Sequence, residues 1–215
     1  MGYAWTTPDS APYVAGPTPS RLGEADRAVA VLRADAGRWS RWVLGVGAFG
    51  AAVVGVFVAV GVVGAIVDLG RAGPLDIGVV LAALALALAG LTVLVRLARS
   101  GRRLTRVAAA WLRAPYAAGP RSPDAAGWVR ARTVNLEPRV LVRLATGTLA
   151  LLVGVAGVAL TARDLVQGMS ALTGAAAAVG ALGLASGAGQ LAGVLRIVAA
   201  LGEADPLWVR LRGRR

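Results

Sequence analysis

Four long stretches of this chain carry no charged residue: Val43–Val67, Ile77–Val95, Leu144–Ala162 and Ala171–Leu195, of 25, 19, 19 and 25 residues. A hydrocarbon core of about 30 Å is crossed by about 20 helical residues at a rise of about 1.5 Å each. All four stretches meet that length, and the two longer ones have residues to spare for tilt. Four such runs in 215 residues leave too little polar chain to cover them in a soluble protein. The first run begins too late and continues too long to be a signal-peptide core. The expected fold is an all-α integral membrane protein, a four-transmembrane-helix bundle with amphipathic juxtamembrane helices.

The remaining residues are unusual in charge. The chain is 57% hydrophobic yet has a net charge of +12, and all 23 of its basic residues are arginine. Lysine, histidine and cysteine are absent. That removes the Schiff-base lysine, the histidine general base, the thiol nucleophile, the disulfide and the usual His or Cys ligands of haem and zinc. The expectation is a non-enzymatic protein with no catalytic residue, no cofactor and no metal. A diet of Arg, Ala, Val, Gly and Leu points to a high-GC bacterial genome.

Arginine placement sets the orientation. Arg21, Arg27, Arg33, Arg38 and Arg41 precede the first run; eleven arginines lie between Arg96 and Arg143 against only Asp124 and Glu137; five more lie from Arg196 onward. The other two loops hold only Arg71 and Arg163, offset by Asp68, Asp76 and Asp164. Cytoplasmic loops are enriched in arginine. Both termini and the central connection are therefore expected in the cytoplasm, in a multi-pass protein of a bacterial cytoplasmic (inner) membrane. The organisation reads as a disordered tail (1–19), an amphipathic cytoplasmic helix (20–42), a first transmembrane hairpin (43–98), a basic connection (99–139), a second hairpin (140–198) and a basic tail (199–215).

The segments outside the runs have patterns of their own. Pro8, Pro12, Pro17 and Pro19 among small polar residues mark the disordered tail. Its first residues, Met1-Gly2-Tyr3-Ala4-Trp5-Thr6, fit a short acylation pattern that adds nothing to a chain with four spans. Ser20 is placed to cap a helix. Leu22, Ala25, Val29, Leu32, Ala36 and Trp39 then form one apolar stripe, facing either the inner leaflet or the chain's own central connection. After the second run, Leu104, Val107, Ala108, Trp111 and Leu112 form another stripe, flanked by Arg99, Arg102, Arg103, Arg106 and Arg113. These arginines are candidates for contact with anionic inner-leaflet lipids or a partner, or they serve only to retain the loop inside. Pro115, Pro120 and Pro123 are expected to break that helix, and Gly127–Glu137 is too mixed to assign. Leu207–Arg212 pairs tryptophan with arginine as an interfacial anchor would. Nucleic acid is disfavoured as a partner, because the arginines follow the membrane edges.

Several glycine patterns imitate other chemistry. Gly45-Val46-Gly47-Ala48-Phe49-Gly50, with Asp68 downstream, fits a dinucleotide fingerprint, and Gly187–Ala192 fits its variant. Both lie inside apolar runs rather than between a strand and a helix, so the cofactor reading lacks its context. A packing role fits better. Gly47, Ala51, Gly55 and Ala59 recur every four residues in the first run, and Ala181, Ala185, Gly189 and Gly193 in the fourth. Such faces let helix backbones approach closely. Polar side chains inside the runs are few, and Ser186 with Gln190 is the one candidate intramembrane polar contact. A faint echo at an offset of 96 residues relates Gly61, Asp68 and Gly78 to Gly157, Asp164 and Gly174.

These features lead to a membrane scaffold or accessory subunit that packs with other membrane protein subunits, or with copies of itself, in a multi-subunit complex. An oligomeric pore or membrane-perturbing effector ranks lower, because a pore lining is normally polar. A carrier component using Ser186 and Gln190 is a further alternative. The topology has a direct test, made clean by the absence of native cysteine. Cysteines placed at Ala72 and Gln167 should react with an impermeant reagent added to intact cells, and ones at Ser122 and Gly202 should not. Outside labelling at Ser122 would reverse the assignment.

Overall fold

The computed structural model describes residues 5–118 and 138–203. Pro120, Pro123, Gly127–Glu137, Leu207–Arg212 and the first four residues lie outside them. Among the described residues, five α-helices follow two short 3-10 turns, at Ala11–Tyr13 and Pro19–Glu24: α1 (Ala25–Ala36), α2 (Trp39–Leu69), α3 (Pro74–Ala118), α4 (Pro138–Gln167) and α5 (Thr173–Glu203). There is no strand among the described residues. Helices α2 to α5 are each long and apolar enough to cross a membrane. The chain is an all-α, multi-pass membrane protein.

The chain divides into two compact units. One, the apolar unit, holds Trp42–Leu97 and Ala145–Gly189; the other, the charged unit, holds the chain up to Arg41, Ala98–Leu144 and the part from Gln190. The charged unit has 20 arginines against eight acidic residues, and the apolar unit three against three. The whole net charge therefore belongs to one unit.

In the apolar unit, antiparallel helices meet backbone to backbone. A Cβ added at Gly55 would lie 2.5 Å from the Ala83 carbonyl oxygen on α3, and one at Gly90 would lie 2.5 Å from the Ala48 carbonyl oxygen on α2. Between α4 and α5 the approach is as close at four glycines: Gly154 against Leu184, Gly157 against Ala176 and Gly180, Gly183 against Ala150, and Gly187 against Gly147, all at 2.6–2.7 Å. Lipid supplies no hydrophobic drive between helices, so contact of this closeness carries the association. Valines and leucines such as Val54, Val67, Leu81, Leu88, Leu152 and Val155 are left on the exposed faces, as lipid contact requires.

The contacting faces are spaced by alternating threes and fours. They are Ala48, Ala52, Gly55 and Ala59 on α2; Ala83, Ala87 and Gly90 on α3; Gly147, Ala150, Gly154 and Gly157 on α4; and Ala176, Gly180, Gly183 and Gly187 on α5. That is a seven-residue repeat, which drifts only about 20° per heptad on a helix, whereas strict four-residue steps drift about twice that at every step. The strict-four stripes therefore slide off the contact. Gly55 and Ala59 are buried on the α2 face, Ala51 is half-buried and Gly47 is exposed, with open space where its Cβ would be. On α5, Ala181 and Ala185 are exposed and a Cβ at Gly189 meets nothing.

The turns are closed by side chains. α2 ends at Gly70 in the left-handed region, at φ 63°, where a side chain would be strained. Asp76 then reaches back to accept the Gly73 N–H at 2.9 Å, opening α3 with a carboxylate near its positive end. At the α4–α5 turn, buried Asp164 accepts the Thr173 hydroxyl at 2.8 Å and pairs with Arg163 at 2.9 Å. Its counterpart in the 96-residue echo, Asp68, is exposed. Gly157 is packed while Gly61 faces open space, so the echo marks no shared role at these positions.

Pro115 does not break α3, contrary to the sequence expectation; the helix continues through it to Ala118. A proline removes one backbone donor, and this one falls in the final turns, where few bonds follow.

The glycine contacts predict a sharp contrast. Gly55→Ala and Gly183→Ala add only a methyl group but drive it into backbone, and should cost about 1–3 kcal/mol or more. Gly47→Ala and Gly61→Ala should be neutral, or stabilising through helix propensity by up to about 1 kcal/mol. Thermal unfolding in detergent would measure both; equal losses at all four positions would remove the register given above.

Candidate functional site

The charged unit is built around the part of α3 that follows Ala98. Leu104, Ala108 and Trp111 are buried there, and what buries them is the chain's own N-terminal region: Tyr13, Val14, Ala25, Ala28, Val29, Leu32 and Ala36. The α1 stripe thus docks on α3, the second of the two surfaces its pattern allowed. Trp39, at the end of the stripe, is exposed, and Leu22 is half-buried. Ser20 caps no helix; it lies within a 3-10 turn, and α1 proper begins at Ala25.

Residues 5–19, expected as a disordered tail, are anchored by three buried side chains, Ser10, Tyr13 and Val14, with the others half-buried or exposed. The Tyr13 carbonyl accepts the Trp111 indole N–H at 3.0 Å, and the two rings meet edge to face at 5.9 Å between centroids. Arg21 lies 5.1 Å above the Tyr13 ring, donates to the Pro12 carbonyl at 3.0 Å and pairs with Glu24 at 2.8 Å. The prolines that signal disorder by composition here restrict the unfolded chain and shape its turns. The apolar surface that rewards ordering lies almost a hundred residues away, at Trp111, which a local reading of composition does not reach.

Asp35 is the polar centre of this unit. Its buried carboxylate accepts the Thr7 backbone N–H at 2.9 Å and the Ser10 hydroxyl at 2.5 Å, and pairs with Arg38 at 3.0 Å. Ser10 is fully buried. Neither residue stands out by motif. The available signal was an acid next to Leu32 and Ala36 on the helix face that carries the apolar stripe.

The arginines divide by what they contact. Arg41 is buried and donates to the Trp5 carbonyl and to the Ser100 hydroxyl, each at 2.6 Å. Arg143 donates to the carbonyl of Ala36, the last residue of α1, where a cation also meets the negative end of the helix dipole. Arg196 donates to Thr105 at 3.0 Å. These three tie α2, α4 and α5 residues into the charged unit. By contrast Arg99, Arg102, Arg103, Arg106 and Arg113 are all exposed; Arg99, Arg102, Arg106 and Arg113 lie on the side of α3 opposite Leu104 and Trp111, and Arg103 at the edge of that side.

The other sequence candidates take separate places. Gly193 is half-buried, with Thr105 3.9 Å from where its Cβ would be. Ser186 is half-buried in the apolar unit, and Gln190, also half-buried, belongs to the charged unit. The hydroxyls of Thr92 and Thr161 fold back on the carbonyls of Leu88 and Gly157, one turn earlier, at 2.7 and 2.8 Å. Both dinucleotide-like glycine patterns lie inside continuous helix, α2 and α5, with no loop to cradle a phosphate. Among the described residues, no group of three or more Asp or Glu is placed to hold a metal. Compared with protein-family models, curated proteins and solved structures, the chain matches none.

If Asp35 organises the N-terminal region, Asp35→Ala removes the acceptor of the Thr7 N–H, the 2.5 Å acceptor of the Ser10 hydroxyl and the ion-pair partner of Arg38. The local cost should be about 1–3 kcal/mol. Trypsin should then cut after Arg21 and Arg27 faster in the variant than in the wild type, read by mass spectrometry of the fragments. Asp35→Asn, which keeps an acceptor oxygen, should lie between the two. Identical cleavage in all three proteins would contradict this role.

Proposed function

We propose that this chain is a non-enzymatic scaffold or accessory subunit of a bacterial cytoplasmic membrane, with the charged unit on the cytoplasmic side. It packs there with other membrane protein subunits or with further copies of itself. The observation that carries the reading is the open small-residue face of α5. Ala181, Ala185 and Gly189 remain exposed or half-exposed after α4 and α5 have made their own contact on a different face. A second helix can approach such a face to backbone distance, as α4 does on the other side. The exposed arginines of α3 add a charged surface to the same protein.

The open space at the Cβ position of half-buried Gly189 makes its substitution informative. A Cβ at Gly189 has open space around it, so Gly189→Leu is expected to keep the fold, which its thermal unfolding in detergent checks. Loss of a co-purifying subunit, or of self-association, would then report contact with another molecule. The wild type is expected to migrate in detergent above its own 21.7 kDa chain mass, after correction for detergent, and Gly189→Leu at the mass of a single chain. A wild type that is monomeric and unaccompanied would end the scaffold reading. Reproducible ion current from the reconstituted wild type would replace it with a pore.

A further inference from the structure

We propose that Arg99, Arg102 and Arg106 of α3 form a ridge that binds the phosphate headgroups of anionic phospholipids. This goes beyond the scaffold reading and does not depend on it; it requires only that α3 crosses the membrane.

Position is the first support. The charge-free run of α3 ends at Val95 and the helix continues without a break to Ala118. At about 1.5 Å per residue, Arg99 lies about 6 Å beyond the run and Arg106 about 16 Å. The headgroup layer is about 5–7 Å deep on each side, so Arg99 falls within it. From the ridge, the N-terminal direction of α3 points back to the apolar run, and helical side chains lean toward the N-terminus of their own helix. Arg102 and Arg106 therefore lean back toward the headgroups with long side chains.

The second support is that the ridge is a like-charge row. Arg99, Arg102, Arg103 and Arg106 stand at i, i+3, i+4 and i+7, and after Asp76 no acid occurs anywhere on α3. Neighbouring like charges on one helix face weaken the helix, and an anionic ligand relieves that repulsion. Arg113 shares the face and Arg103 lies at its edge, but the ridge is assigned to the three others, because Arg103 and Arg113 have further interactions.

The third support separates this ridge from ordinary topology signals. A positive-inside bias by itself treats all membrane-edge arginines alike. The structure does not: Arg41, Arg143 and Arg196 bond within the protein, while Arg99, Arg102 and Arg106 are exposed. The opposite face of α3 is covered by Tyr13 and α1. The folded protein therefore cannot insert Leu104 and Trp111 into lipid, and the ridge meets headgroups by charge alone. An isolated peptide of this helix would expose the covered face and report insertion instead, so the test needs the full chain.

The full-length wild type, the triple variant Arg99→Gln/Arg102→Gln/Arg106→Gln and the control Arg27→Gln are placed in nanodiscs of phosphatidylcholine alone, or with phosphatidylglycerol. The readouts are thermal unfolding and the phosphatidylglycerol retained after transfer to detergent. In the anionic discs the wild type and Arg27→Gln should unfold at higher temperature than in neutral discs; the triple variant should not. In neutral discs the triple variant should be at least as stable as the wild type, which shows that it folds. Retained phosphatidylglycerol should fall by about fivefold or more in the triple variant, and in the wild type as salt is raised. Equal retention and equal stabilisation in wild type and triple variant would overturn the proposal. If inorganic phosphate displaces the lipid better than chloride at equal ionic strength, the site is one for free phosphate and the lipid assignment fails. Binding of nucleic acid in neutral discs by the wild type and not by the triple variant would overturn it in favour of a nucleic-acid partner.

Discussion

Backbone contact between neighbouring helices is the constraint on which the apolar unit depends. In lipid, leucine gains nothing by leaving the surface for a helix interface, so helices associate where their backbones can come close enough for dense packing. Glycine at Gly55, Gly90, Gly154, Gly157, Gly183 and Gly187 allows this, and a single added methyl group there would overlap main-chain atoms of the partner helix. The abundance of glycine in the chain is thus partly structural. The glycines that take no part, Gly47, Gly50, Gly61 and Gly189, face open space, and one of those open faces is where the proposed assembly would form.

The charged unit is held by a different interaction. Among the described residues, its fully buried large side chains are Trp111, Leu104 and Leu32, and the N-terminal region is added to them through Asp35 and the Tyr13 carbonyl. A buried carboxylate is costly unless it is bonded on several sides. Asp35 meets that condition at Oδ2, which accepts a backbone N–H and a hydroxyl, while Oδ1 faces the Arg38 guanidinium as an ion pair without a hydrogen bond. The result is a folded module from residues that composition assigns to a tail. The module turns the apolar side of α3 inward and its arginines outward, which converts an amphipathic helix into a surface of one charge sign.

This division bears on function. The chain has no histidine, cysteine or lysine with which to build the commonest catalytic sites, and its glycine-rich motifs lie within uninterrupted helix. The surfaces on which the proposed readings rest are the small-residue faces in the apolar unit and the exposed arginines in the charged one. Surfaces of these two kinds suit packing with membrane helices and contact with anionic headgroups.

The sequence by itself determined the four spans, the all-α class and the concentration of charge outside the spans. Those follow from hydrophobic run length and charge placement, which are local and additive. It also located the apolar stripe of α1 and the five arginines of α3. Only the tertiary structure decided which small face of each helix is used, because a contact needs a matching face on a second helix. In a chain this rich in Gly and Ala, a four-residue stripe such as Ala181 to Gly193 looks as good as the three-and-four alternation of Gly180, Gly183 and Gly187. Only the structure brought Tyr13 to Trp111 and Ser10 to Asp35, since each pair joins residues distant in the chain whose burial is favourable only together. It also decided which arginines bond inside the protein and which remain exposed: charge is a property of each residue, but its neutralising partner is a property of the fold.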